Sequence, residues 1–226
     1  MTSTQREVFT RVLSGDLEGL TELLDRDAVA GGSPQTDPCG VTDEMGRNAL
    51  MTACMLGRSA IARVLVDHGA SVNEQTVRGY SSLHLAACWG HLDTVRVLLE
   101  LGADPLSQTF TGQRPVDLAM KYCKTDCVDC LLLAEAKQDL ASYVDLVRDL
   151  VSDPEKSLTK EEKIICTNAC SSKTNWIETV GGPAASDFTA QRRHMEDAVR
   201  PVLDRLSARG LLPEQQPPAP LMNGPQ

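Results

Sequence analysis

The sequence predicts an all-α fold, a solenoid of repeated helix pairs followed by a helical extension. Three observations carry that expectation. Landmark residues recur at a fixed step of 33 between positions 46 and 131. Beyond position 134 the step disappears while apolar residues keep a helical period. Aromatic residues make up only 4% of a chain that is 42% apolar, a composition suited to helices that approach closely through small side chains.

Residues 1–42 read as an N-terminal capping half-repeat and a loop. Glu7 to Leu13, then Ser14-Gly15-Asp16, then Leu17 to Leu24 form a helix pair around a tight turn. Gly15 and Gly57 lie 42 apart, so this half-repeat is followed by about nine extra residues. The surplus is placed in Gly31-Gly-Ser-Pro-Gln-Thr-Asp-Pro38, a Gly/Pro-rich loop.

Three units follow, at 43–76, 77–109 and 110–133. Gly46, Gly79 and Gly112 keep the 33-residue step, as do Leu50, Leu83 and Val116, Ala53, Ala86 and Ala119, and Leu65, Leu98 and Leu131. A glycine opening each unit permits the positive φ of the turn into the first helix. Gly57 and Gly90 close the inner helices and Gly69 and Gly102 the outer ones, each as a left-handed cap. One unit cannot bury its own apolar face, so at least three must stack. The second unit reads Gly79-Tyr-Ser-Ser-Leu-His-Leu-Ala-Ala-Cys-Trp-Gly90 and resembles the ankyrin repeat closely. The third departs from that pattern. Asp117 replaces the histidine of the Leu-His pair, Cys123 stands where a glycine closed the earlier inner helices, and Glu135 stands where Gly102 would recur. Divergence is expected in a last unit, which faces water on one side.

Residues 134–209 read as a helical extension. Leu140, Val144, Val147 and Val151 form one stripe on a helix ended by Pro154, and Thr159-Lys-Glu-Glu162 is a capping box opening a second helix over about 160–178. A third helix carries Phe188, Met195, Val199, Val202 and Leu206 in a heptad-like seam. Two readings stay open here: the extension folds back on the exposed end of the repeats, or it forms a short coiled coil with another chain. Pro201 and the shortness of the seam count against the coiled coil. Residues 210–226 are Pro-rich and read as a disordered tail.

Charge and cysteine usage exclude several classes. A net charge of −9 argues against a nucleic-acid or anionic-membrane surface. No run approaches the roughly 18 apolar residues of a membrane span, and residues 1–30 lack a signal-peptide core. The eight cysteines are therefore expected as reduced thiols of a cytoplasmic protein. Cys123, Cys127 and Cys130 have the spacing of an iron–sulfur-binding run, but they occupy the third repeat and lack a fourth ligand for zinc. The preferred reading is small hydrophobes on a helix, as for Cys166 and Cys170. No nucleophile–base pair or phosphate loop is legible. No cofactor, metal or catalytic residue is expected, and a metal or redox role is the remote alternative.

The resemblance to ankyrin repeats implies a non-catalytic adaptor or scaffold that binds proteins on a concave side built from inner helices and hairpin tips. On this sequence those positions are Met55 with Leu56, Trp89 and Tyr122 on the helices, and Met45, Val77, Arg78 and Phe110 on the tips. Leu56, Trp89 and Tyr122 are one repeat position met three times. Such residues match the composition of binding hot spots. The alternative is a cytoskeletal protein that homo-oligomerises through residues 134–209. The layout is also similar to that of one member of the family, and that likeness alone implies cytoskeletal, ciliary or midbody association.

Overall fold

Glycine and proline punctuation cuts the first part of the chain into short antiparallel helix pairs. A computed structural model describes residues 3–29, 40–43 and 45–209. The Gly31–Pro38 loop and the 210–226 tail expected above lie outside them. In chain order the helices are α1 (Ser3–Ser14), α2 (Leu17–Val29), α3 (Ala49–Met55), α4 (Ser59–Asp67), α5 (Ser82–Trp89), α6 (Leu92–Glu100), α7 (Pro115–Lys121), α8 (Thr125–Ser152), α9 (Lys160–Thr179) and α10 (Ala185–Ala208). A single 3-10 turn at Pro154–Lys156 separates α8 from α9. The chain divides into two compact units, one ending at Glu135 and the other beginning at Ala136.

In the first unit α1, α3, α5 and α7 stack in sequence as inner helices, and α2, α4 and α6 stack behind them. The 33-residue step in the sequence is a step in space. Leu50, Leu83 and Val116, Ala53, Ala86 and Ala119, and Leu65, Leu98 and Leu131 are all fully buried in one core. The helix caps repeat as well. Gly57 and Gly90 have φ of 71° and 79°, and Cys123 takes φ 55° at the same position without glycine's freedom.

Polar bonds tie each unit to the one before it. The Arg58 guanidinium donates to the Leu13 carbonyl at 2.7 Å, and His91 Nε2 donates to the Met55 carbonyl at 3.0 Å. Arg58 and His91 are 33 apart and Leu13 and Met55 are 42 apart, so the capping pair is a true half-repeat displaced by the loop insertion.

The third unit's outer helix has no glycine to stop it. Glu135 occupies the stop position, and α8 runs on through residue 134 for 28 residues in all. Its second half joins α9 and α10 in a separate core of Leu140, Val144, Val147, Cys166, Cys170, Phe188, Met195, Val199, Val202 and Leu206. The extension thus closes an apolar interior of its own. The α10 seam is buried inside it and is not presented to another chain in this conformation. Thr159 caps α9 with Glu162 in the reciprocal arrangement expected: the Thr159 N–H donates to Glu162 Oε2 at 2.7 Å and the Glu162 N–H to Thr159 Oγ1 at 3.3 Å. Pro201 sits within α10 without ending it.

Candidate protein-binding surface

Each unit opens with a hairpin whose geometry is set by one hydrogen-bonding residue and one glycine. The N–H groups of Asp43, Thr76 and Thr109 donate to the carbonyls of Arg47, Tyr80 and Gln113 at 2.8, 2.9 and 2.9 Å. The side-chain oxygens of the same three residues accept the N–H four positions on, at 2.9, 3.1 and 3.1 Å. Gly46, Gly79 and Gly112 make the turn at φ of 76°, 82° and 75°. Successive tips lie against one another. The Phe110 N–H donates to the Arg78 carbonyl at 3.1 Å, and a Cβ on Gly79 would stand 2.9 Å from the Phe110 nitrogen. Only glycine fits there.

This register sets the predicted residues on view. Ala53 with Cys54, Ala86 with Ala87, and Ala119 turn into the stack, so the residues at the end of each inner helix turn out. Trp89 is 57% exposed, Tyr122 49% and Leu56 39%, at one repeat position that ends α5 and lies just past α7 and α3. At the tips Phe110 is 79% exposed and Val77 73%; Met45 and Arg78 are also exposed. Met55 is half-buried, with its sulfur 3.5 Å from an Arg47 nitrogen. The stacking of tips on tips and of α3 on α5 on α7 brings these residues onto neighbouring hairpins and helix ends of one array.

Some exposed groups are not legible in the repeat pattern. Met120 stands where Cys54 and Ala87 are fully buried, yet it is half-exposed, as are Leu132 and Leu133 at the start of α8. At the Met120 and Leu132 positions the earlier units pack into the core (Cys54 and Ala87, Val66 and Leu99), whereas Leu133 stands where Asp67 and Glu100 are exposed as well. The register gives the signal: a large apolar residue at a buried position of a last unit faces no neighbour.

The polar groups of the array hold the stack together. Ser81 caps α5, its N–H donating to His84 Nδ1 at 3.1 Å, so Nδ1 accepts and Nε2 carries the proton. Nε2 donates to the Gln113 carbonyl of the next unit at 3.0 Å. Burial pulls the His84 pKa down, against the opposing bond to Gln113. In the last unit Asp117 replaces this bridge with a local one: Asp117 Oδ2 accepts the Arg114 N–H at 2.8 Å, and the Arg114 guanidinium pairs with Glu135 at 2.9 Å. Burial pushes the Glu135 carboxyl up and Arg114 pulls it back.

Cys123 is exposed at the end of α7, whereas Cys127 is buried and Cys130 half-buried on α8. Burial raises the thiols of Cys127 and Cys130. It carries Cys54 to about 12, well outside the range of a nucleophile. Among the described residues no cluster of three or more His, Cys, Asp or Glu side chains is placed to hold a metal ion. No described helix is long and apolar enough to cross a membrane.

Residues 11–109 match the family of ankyrin repeats in three copies. The chain is 45% identical over 208 residues to ankyrin repeat domain-containing protein 45 of Danio rerio, covering 90% of this chain and 93% of that one. It is 38% identical to the protein of that name in Mus musculus, covering 91% of this chain and 84% of that one, and 34% identical to that in Homo sapiens, covering 91% and 79%. Ankyrin repeats generally mediate protein–protein interaction and are typically non-catalytic. Because these matches extend beyond the repeats into the helical extension, and the repeat step is carried by sequence and coordinates alike, the chain belongs to the ankyrin repeat domain-containing protein 45 family.

Proposed function

We propose that the protein is a non-catalytic adaptor that captures a partner protein on the face formed by its hairpin tips and inner-helix ends. One observation carries the reading: Leu56, Trp89 and Tyr122 recur on adjacent helices with their apolar surface in water, flanked by Val77 and Phe110. Water-exposed Trp, Tyr and large aliphatic groups in one patch are costly unless something covers them. Such residues dominate the affinity of protein interfaces. Burial of the α10 seam within its own unit supports this reading over an oligomer joined through that seam.

The test is proximity labelling by the full chain in its native cell, compared between wild type and the Trp89→Ala and Tyr122→Ala variants. Each variant is expected to lose partner labelling, with binding weakened by about 2 kcal/mol, the size of a hot-spot truncation. Helix content and melting temperature should stay within the narrow range of surface substitutions. Unchanged labelling, or unfolding of the variants, would sink the proposal, the latter because the rings would then belong to the core.

A further inference from the structure

Among the described residues, the same face has a charge character opposite to that of the chain. The protein carries a net charge of −9. On the described inner helices α3, α5 and α7 the single carboxylate is Asp117, held by Arg114 at 3.3 Å. On the hairpin tips Asp43 is taken up by Arg47 at 2.7 Å and by the tip's own N–H groups. Glu74, beside the second tip, accepts from Asn48 at 2.8 Å. The cations are left over. Arg78 is exposed on the second tip, and among the described residues it forms no ion pair. Lys121, exposed beside Tyr122, has its ammonium 5.8 Å from that ring's centroid and, among the described residues, no carboxylate partner. Lys124, half-buried, follows at the turn from α7 into α8, where among the described residues neither it nor the exposed Asp126 forms an ion pair, so this turn adds no net charge.

We infer that the partner presents an acidic segment with apolar anchors, the anchors seating on Trp89, Tyr122 and Phe110 and the carboxylates facing Arg78 and Lys121. This rests on the proposed binding face and names the chemistry it selects. Unpaired cations at the rim of an apolar patch act through complementarity: they speed encounter with an acidic surface and repel a basic one. The rings remain accessible to aliphatic and aromatic side chains, so anchoring and charge selection fall to different residues. Exposed charges are screened by salt, so the selection weakens as ionic strength rises.

A displayed library of random peptides, panned on the immobilised full chain, tests this. Panning on wild type is expected to enrich peptides with an excess of Asp and Glu next to large apolar residues. Against those peptides the double variant Arg78→Glu/Lys121→Glu should lose about tenfold in affinity at low salt, and Arg78→Gln/Lys121→Gln a smaller factor. Enrichment of neutral or basic peptides, or binding unchanged by both double variants, overturns the acidic assignment while the binding face stands. Enrichment no greater on wild type than on Trp89→Ala overturns the face itself and this inference with it. Both charged positions are exposed, and circular dichroism of each variant keeps a folding defect from passing as a charge effect.

Discussion

His84 is the side chain on which one repeat hangs from the next. Its ring closes the cap of α5 with one nitrogen and holds the Gln113 carbonyl with the other. Removing it leaves the buried Ser81 N–H unpaired and the Gln113 carbonyl with only its bond from the Thr109 N–H, so His84→Ala should destabilise the first unit by about 2 kcal/mol above neutral pH. The pH dependence has a definite sign. Burial holds the folded pKa below the ordinary 6.5, so the unfolded chain binds the proton more tightly. The contribution of His84 is complete above about pH 6.5 and is lost as pH falls through that value toward the folded pKa. Urea titrations of wild type and His84→Ala should therefore converge as pH is lowered. The difference between the two cancels His68, whose hydrogen bond to Asp25 raises its pKa and gives the opposite sign. A gap that widens on acidification would refute the assignment. Cys123 presents a second case. It holds a left-handed conformation at φ 55° that its counterparts Gly57 and Gly90 adopt freely. Cys123→Gly should relieve a strain of about 1–2 kcal/mol, partly offset by the greater freedom of glycine in the unfolded chain, for a net gain of about 0.5–1 kcal/mol in thermal or urea unfolding.

At the scale of the element, the repeat helices are short because glycine stops them, and α8 is long because Glu135 does not. Landmarks at the fixed step were enough to read the hairpins, the inner helices and the buried triplets, since each follows from a local backbone demand repeated three times. The row of Leu56, Trp89 and Tyr122 was legible for the same reason: each stands three residues after a buried alanine (Ala53, Ala86 and Ala119) at the end of a short helix, where the chain turns outward. The exposure of Met120 escaped the pattern, because it depends on what stands next to the last unit rather than on the unit itself. So did the interior of the extension. A heptad-like stripe of Phe188, Met195, Val199, Val202 and Leu206 has the same period whether it meets another chain or its own neighbours. Here the neighbours are Val144, Val147, Cys166 and Cys170. The charged groups around them reinforce this: Arg192 lies over the Tyr143 ring at 4.4 Å and pairs with Asp139, and Arg205 reaches the buried Glu162 at 3.0 Å. Met195 is fully buried, so Met195→Ala should cost the second unit about 2–4 kcal/mol. A negligible loss would mean that the seam is not core.

The whole molecule has two interiors, not one. Leu83 and Met195 are both fully buried, each in its own core. Leu83→Ala should thus lower the stability of the repeats and Met195→Ala that of the extension, each by about 2–4 kcal/mol. Hydrogen exchange resolved along the chain would see the two losses in separate segments, and uniform loss of protection from either variant would contradict the division. This arrangement also distributes the two tryptophans evenly. Trp89 stands in solvent on the repeats, while Trp176 is partly buried in the extension, edge-on to Phe188 with ring centroids 5.1 Å apart. The protein therefore carries a built-in pair of optical reporters: a red-emitting indole on the proposed docking face and a bluer one inside the second core. A ligand that covers the row should shift the first emission and leave the second where it is.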